Sequence, residues 1–242
     1  MDGLLATKLR FKSGHEMNNR FMLAPMTNCQ SHADGMLSDA EFKWLVMRAK
    51  GGFSLTMTCA AHVQRNGQGF AGQLGVFSDA QIPGHRRLAT DIKAHGALAL
   101  IQLHHAGMRA PRELIGGQPV CPSDDPETNA RALSIDEVKV LRESFIEAAV
   151  RAQASGYDGV QVHGAHGYVL AQFLSAKYNR RSDQYGGTKD NRLRLILEIV
   201  EGIRKSCGTH FLIGLRLSPE RFGMNLVDCI WFCNRMIEHG HI

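Results

Sequence analysis

The chain has 242 residues, 44% apolar and 21% charged, an ordinary balance for a soluble globular protein and enough for one large domain with a continuous core. The net charge of +5 comes from Lys and Arg scattered along the chain, which speaks against a nucleic-acid footprint, and no apolar run approaches the roughly 20 residues that span a bilayer. The start, Met1-Asp2-Gly3-Leu4-Leu5, lacks a basic segment followed by an apolar one, so no secretory signal is expected, and the six separated cysteines read as reduced thiols of a cytoplasmic protein.

In chain order, Phe21 to Thr27 reads as a strand and Ser38 to Lys50 as a helix. Ser54 to Ala60 is the next strand, followed by a helix from Ala80 to His95. Ala97 to His105 follows as strand and Ile135 to Ser155 as helix, where Ser134 and Glu137 have capping-box spacing. Gly159 to His163 is strand and Asn191 to Ser206 helix; Phe211 to Leu217 is strand and Leu226 to His239 helix. The strands are short and nearly continuously apolar, as expected when both faces of a parallel sheet are buried.

Five β/α units in regular alternation imply an α/β fold, and a TIM (β/α)8 barrel over a doubly wound sheet. No linker or repeat divides the chain, so residues 1–242 read as a single domain. The stretch from Gly107 to Leu133, rich in Gly, Pro and polar residues, reads as a loop over the barrel mouth. Five units do not close eight strands, so the expectation is a domain incomplete at its C-terminus, or one completed by something else.

His163-Gly164-Ala165-His166-Gly167-Tyr168 directly follows a strand, at the strand end where α/β proteins place their chemistry. Imidazoles can hold a carbonyl oxygen and a phenol can deliver a proton. Gln102 and Arg216 are polar residues in apolar strands; a satisfied buried pair is the plain reading. If both face the barrel mouth, an amide and a fixed cation suit a flat heterocycle that gains negative charge on reduction. Thr27 adds a hydroxyl at the same level.

Other motifs are weaker. Gly67-Gln68-Gly69-Phe70-Ala71-Gly72 matches G-x-G-x-x-G, but no strand precedes it directly and no helix follows, so it reads as a loop. His104-His105 and His163-x-x-His166 lack a nearby carboxylate, so no metal site is expected. Cys229 and Cys233, one helical turn apart, read as core packing.

Taken together these residues resemble the old yellow enzyme family of flavin-dependent ene-reductases. The strongest likeness is His163-Gly-Ala-His-Gly-Tyr168, continuing through Gln172-Phe173-Leu174 to Asn179-x-Arg181-x-Asp183-x-Tyr185-Gly186-Gly187 and Asn191-Arg192. Asn19-Arg20, Ala24-Pro25-Met26-Thr27, Gln102-Leu103-His104-His105-Ala106-Gly107 and Arg216-Leu217-Ser218-Pro219 lie around it in the family's order.

The resemblance implies a TIM barrel holding FMN, with NADH or NADPH as reductant and a small-molecule α,β-unsaturated carbonyl compound as substrate. By motif position Pro25, Met26 and Thr27 would lie along the flavin, Ala60 would approach it through backbone, Gln102 would bond its pyrimidine edge, and Arg216 would offset the charge of its reduced form. His163 and His166 would hold the substrate's carbonyl oxygen, and Tyr168 would protonate carbon. No nucleic-acid or membrane partner is implied, and a homo-oligomer is compatible with the family.

Three departures stand out. His104 replaces an aromatic or small residue of many relatives, and Met108 replaces an arginine common in one branch. The last three β/α units, which in the family hold the FMN phosphate, are absent from the sequence. The alternative expectation is therefore an inactive truncated remnant that cannot retain FMN.

Overall fold

A computed structural model describes residues 3–240. Met1, Asp2, His241 and Ile242, which enter the readings of the two chain ends, lie outside the described residues.

Five parallel strands form one sheet: β1 (Met22–Leu23), β2 (Leu55–His62), β3 (Leu98–His104), β4 (Gly159–Gly164) and β5 (Leu212–Leu217). Their spatial order is their sequence order. A doubly wound sheet reverses its strand order to place helices on both faces; an unreversed order keeps every crossover on one face and curls the sheet toward a barrel. The crossover helices α1 (Asp39–Lys50), α2 (Ile82–Ala94), α3 (Ile135–Ala154), α5 (Lys189–Cys207) and α6 (Leu226–Glu238) touch one another in succession, as a single outer layer requires. A short helix, α4 (Val169–Leu174), lies between β4 and α5.

The helix starts follow from local chemistry. Ser38, Ser134, Thr188 and Asn225 each accept a backbone N–H of the first turn, and Ser134 with Glu137 completes the expected capping box. The main core lies between sheet and helices, around Leu45, Ile92, Phe145, Ile196 and Phe232. A second cluster of Met17, Leu55, Met57 and Leu100 fills the sheet's concave side at the N-terminal ends of the strands. Met17 reaches it from a small antiparallel pairing of Leu9–Arg10 with Glu16–Met17, which plugs the end opposite the chemistry.

Three differences from expectation have local causes. Only Met22–Leu23 of the first expected strand pairs with β2; Pro25 has no N–H to donate, so the chain from Ala24 to Thr27 leaves the ladder. β5 is half-buried for most of its length rather than covered on both faces, because it is an edge strand. The stretch from Gly107 to Leu133 is ordered rather than a plain loop. It carries a one-turn helix, Arg112–Ile115, and pairs Val120–Cys121 with Arg131–Ala132. Arg181 pins it, its Nη1 donating to the Pro122 carbonyl at 2.8 Å while its other nitrogens hold Asp183.

No helix among the described residues is long and apolar enough to cross a membrane.

Candidate active site

The site is built on the C-terminal ends of the strands. In β2 the register against β3 slips between Met57 and Ala60, an irregularity that sets Ala60 directly opposite Gln102. Gln102 in turn faces Gln161 of β4 and donates its Nε2–H to the Gln161 Oε1 at 2.7 Å. His163, near the end of β4, pairs in register with Arg216 of β5.

Beyond β4 the backbone turns sharply. His166 and Gly167 both take left-handed φ values, +58° and +70°. A Cβ on Gly167 would lie 2.6 Å from the Phe222 ring, so only glycine fits there. His166, a non-glycine in this conformation, is held by its N–H, which donates to Ser218 Oγ at 2.9 Å. Arg109 donates to the His166 carbonyl from the other side. The turn delivers His163, His166 and Tyr168 to one place, with ring centroids 5.0 Å apart for the two imidazoles and 5.2 Å for His163 and Tyr168.

The protonation of the two histidines follows from their partners. The Ala165 N–H donates to His163 Nδ1 at 3.2 Å, so in the neutral ring the proton is on Nε2. His163 Nε2 then donates to His166 Nδ1 at 3.2 Å, which leaves the His166 proton on its Nε2. Burial, then the charges of His166 and Arg216, push the His163 pKa down to about 3. Burial lowers that of His166 as well, followed by the charges of Arg216 and Arg109. Both rings are held toward the neutral form, with N–H groups that can donate to an oxygen.

All nine residues singled out in the sequence line one cavity of about 90 Å³: Pro25, Met26, Thr27, Ala60, Gln102, His163, His166, Tyr168 and Arg216. Among the described residues no carboxylate lines it. Arg216, half-buried, makes one long hydrogen bond, Nη1 to the Pro25 carbonyl at 3.4 Å, and forms no ion pair among the described residues. Its remaining donors, the Gln102 amide and the Thr27 hydroxyl suit the polar edge of a flat heterocycle that gains negative charge on reduction, with Met26 and Pro25 as an apolar wall.

Sequence reasoning missed four residues. Phe70 is the tenth lining residue. It comes from the G-x-G-x-x-G segment, which is a loop as expected and is not followed by a helix. A Cβ on Gly67 of that segment would lie 2.4 Å from the His105 ring, so the motif reflects close packing against the β3 end. Gln161 supports Gln102, and Gln73 contacts His104. Arg109 sits 4.9 Å from the Tyr168 ring centroid. No group of three potential metal ligands occurs among the described residues. Cys229 is buried and Cys233 half-buried in α6.

Comparison with known proteins agrees with this fold. The profile of the NADH:flavin oxidoreductase / NADH oxidase family matches residues 7–230. A probable NADH-dependent flavin oxidoreductase of Bacillus subtilis (strain 168) is 42% identical over 218 residues, 87% of this chain and 58% of that protein. The old yellow enzyme homologue from Zymomonas mobilis superposes with a TM-score of 0.85 at 30% identity, over 92% of this chain and 66% of that one. Morphinone reductase in complex with tetrahydroNAD superposes with a TM-score of 0.83 at 29% identity, again over 92% and 66%. The chain thus spans about three-fifths of the Bacillus relative's length (58%), and its five-stranded curled sheet is part of a TIM barrel. Matched along most of its length and carrying these side chains at the strand ends, the chain belongs to the NADH:flavin oxidoreductase / NADH oxidase family, that of the old yellow enzymes.

Proposed function

We propose that this chain carries the chemical site of an FMN-dependent oxidoreductase that uses NADH or NADPH to reduce the activated C=C bond of α,β-unsaturated carbonyl compounds. The observation that carries the reading is the convergence of two neutral imidazoles, a phenol, an amide and an unpaired guanidinium on one cavity free of carboxylates.

FMN, when bound, would supply the hydride-transfer chemistry between nicotinamide and alkene. The donor set fits it: Gln102 and Thr27 would bond its polar edge, Arg216 would offset its negative charge, and Pro25, Met26 and the Ala60 backbone would flank it. A relative that binds tetrahydroNAD supports a nicotinamide reductant.

The remaining steps belong to the chain. The Nε2–H groups of His163 and His166 donate to the substrate's carbonyl oxygen, and so stabilise the charge that develops there as the alkene is attacked. Each neutral ring carries one N–H, so the pair offers one donor apiece. Tyr168 gives its hydroxyl proton to the carbon next to the carbonyl and is reprotonated from solvent.

The test is the visible spectrum of the purified chain with added FMN, then with p-hydroxybenzaldehyde. Bound flavin and a new long-wavelength band on adding the phenol support the reading. Absence of both bound flavin and the band overturns it.

A further inference from the structure

Gln73 is fully buried and lies outside the cavity, yet its amide touches three parts of the site. The Gly69 N–H donates to its Oε1 at 2.6 Å, and its Nε2 donates to the Ala60 carbonyl at 2.8 Å. These two backbone partners fix the amide's orientation, since one can only donate and the other only accept. The second Nε2 proton therefore faces His104 Nδ1, 3.0 Å away, and that nitrogen must accept.

His104 is buried, and its ring stands at 81° to the Tyr168 ring with centroids 4.3 Å apart. Its Nε2 is buried and has no hydrogen-bond partner among the described residues. Burial, then the charge of His163, holds the imidazole well below its usual pKa, so the ring is neutral and its one proton sits on Nε2. Of the ring's two flips and two tautomers, only one offers a lone pair to Gln73. The Arg109 guanidinium also lies against Tyr168, 4.9 Å from its ring centroid.

We propose that Gln73 is a positioning residue for Tyr168, acting through His104: it locks that imidazole as the Nε2–H tautomer, at right angles to the phenol it packs against. The proposal rests on the reading of Tyr168 as proton donor. Through its bonds to Gly69 and Ala60, the same amide ties the loop that carries Phe70 to the strand wall of the cavity.

Two measurements test it. The first is long-range ¹⁵N–¹H spectroscopy of the whole chain with labelled histidines, which reads each tautomer with or without flavin. The expected result is His104 protonated on Nε2 in the wild type, and a mixed or exchanging ring in Gln73→Leu, or in Gln73→Met should the first variant not fold. A wild-type His104 protonated on Nδ1, or an unchanged Nε2–H ring in both variants, overturns the proposal.

The second is the flavin-loaded chain, with its reoxidation by an enone compared with its reduction by NADH. Gln73→Leu is expected to lower the ratio of the two rates about 10- to 100-fold, the scale of a misplaced catalytic group. Adding Gln73→Leu to His104→Leu should cost nothing further; a full further loss means that Gln73 does not act through His104. Tyr168→Phe separates the two readings. If it leaves reoxidation intact, the proton-donor assignment fails, while the tautomer measurement still decides whether Gln73 governs His104.

Discussion

His163 Nε2 lies 3.2 Å from His166 Nδ1, and the Ala165 N–H bound to His163 Nδ1 fixes the direction of that hydrogen bond. The free pair is thus a donor chain ending in the His166 Nε2–H. On the proposed reading, an anionic oxygen in the site accepts from that donor and from the His163 N–H.

His166→Ala should therefore weaken binding of a phenolate ligand by about 10- to 100-fold, the worth of one hydrogen bond to a charged group. Titration of the long-wavelength band with p-hydroxybenzaldehyde measures it. Unchanged affinity would remove His166 from the oxygen-binding role.

Tyr168→Phe should slow reduction of an enone by roughly 10²-fold or more, the usual contribution of a positioned acid. Stopped-flow reoxidation of the reduced flavin by the enone checks this directly. Reduction of the flavin by NADH needs no proton from a phenol and should fall far less. Equal losses in both half-reactions would mean that Tyr168 shapes the cavity rather than donating.

Stability should depend on acid in a defined window. Burial pushes His62 and His85 down to about 4, and His105 and His163 down to about 3. In the unfolded chain these rings titrate near 6.5. Below that value the unfolded state binds protons that the fold excludes, so stability is full above about pH 6.5 and falls as pH drops toward the folded values. Each ring contributes on the order of 1–2 kcal/mol by pH 5. The urea midpoint should fall clearly between pH 7 and pH 5, and a flat profile would contradict the buried, neutral assignment.

Gly67→Ala should destabilise the chain by about 1–3 kcal/mol, the usual cost of overpacking. Its Cβ would lie 2.4 Å from the His105 ring, which is itself held by the Gly107 N–H donating to Nδ1. Urea denaturation measures the change. Gly116→Ala is a poor control, because Gly116 has φ +66°; Gly117→Ala, with open space around it, is the better one.

The alternation of strands and helices is legible because each strand is a short apolar run, and Ser134 with Glu137 marks the start of one of the helices between them. The site is legible for a related reason. Polar residues such as Gln102, His163 and Arg216 stand out within those apolar runs, and their placement in successive strands aligns them at one end of the sheet. What escaped depends on contacts distant in sequence. Gln73 is one polar residue among many until His104, 31 positions later, is seen against it. Phe70 lies in a loop whose path depends on Gly67 meeting His105. The ordering of the Gly107–Leu133 stretch depends on Arg181, 59 residues beyond the Pro122 carbonyl it binds.

Arg216 on β5 reaches the Pro25 carbonyl, just past β1, across 191 residues of chain. The first and last strands of the sheet therefore share one cavity wall, although they are not hydrogen-bonded neighbours. During synthesis the histidine turn lacks Ser218 and Phe222, the partners that hold it, until after Arg216 has emerged, so the nascent chain completes its histidine turn and its cavity wall together. Closure of so distant a contact is slow, because the loop entropy is spent before the contact forms. A ligand that bound this cavity during refolding would therefore report the arrival of the fifth strand rather than the collapse of the core.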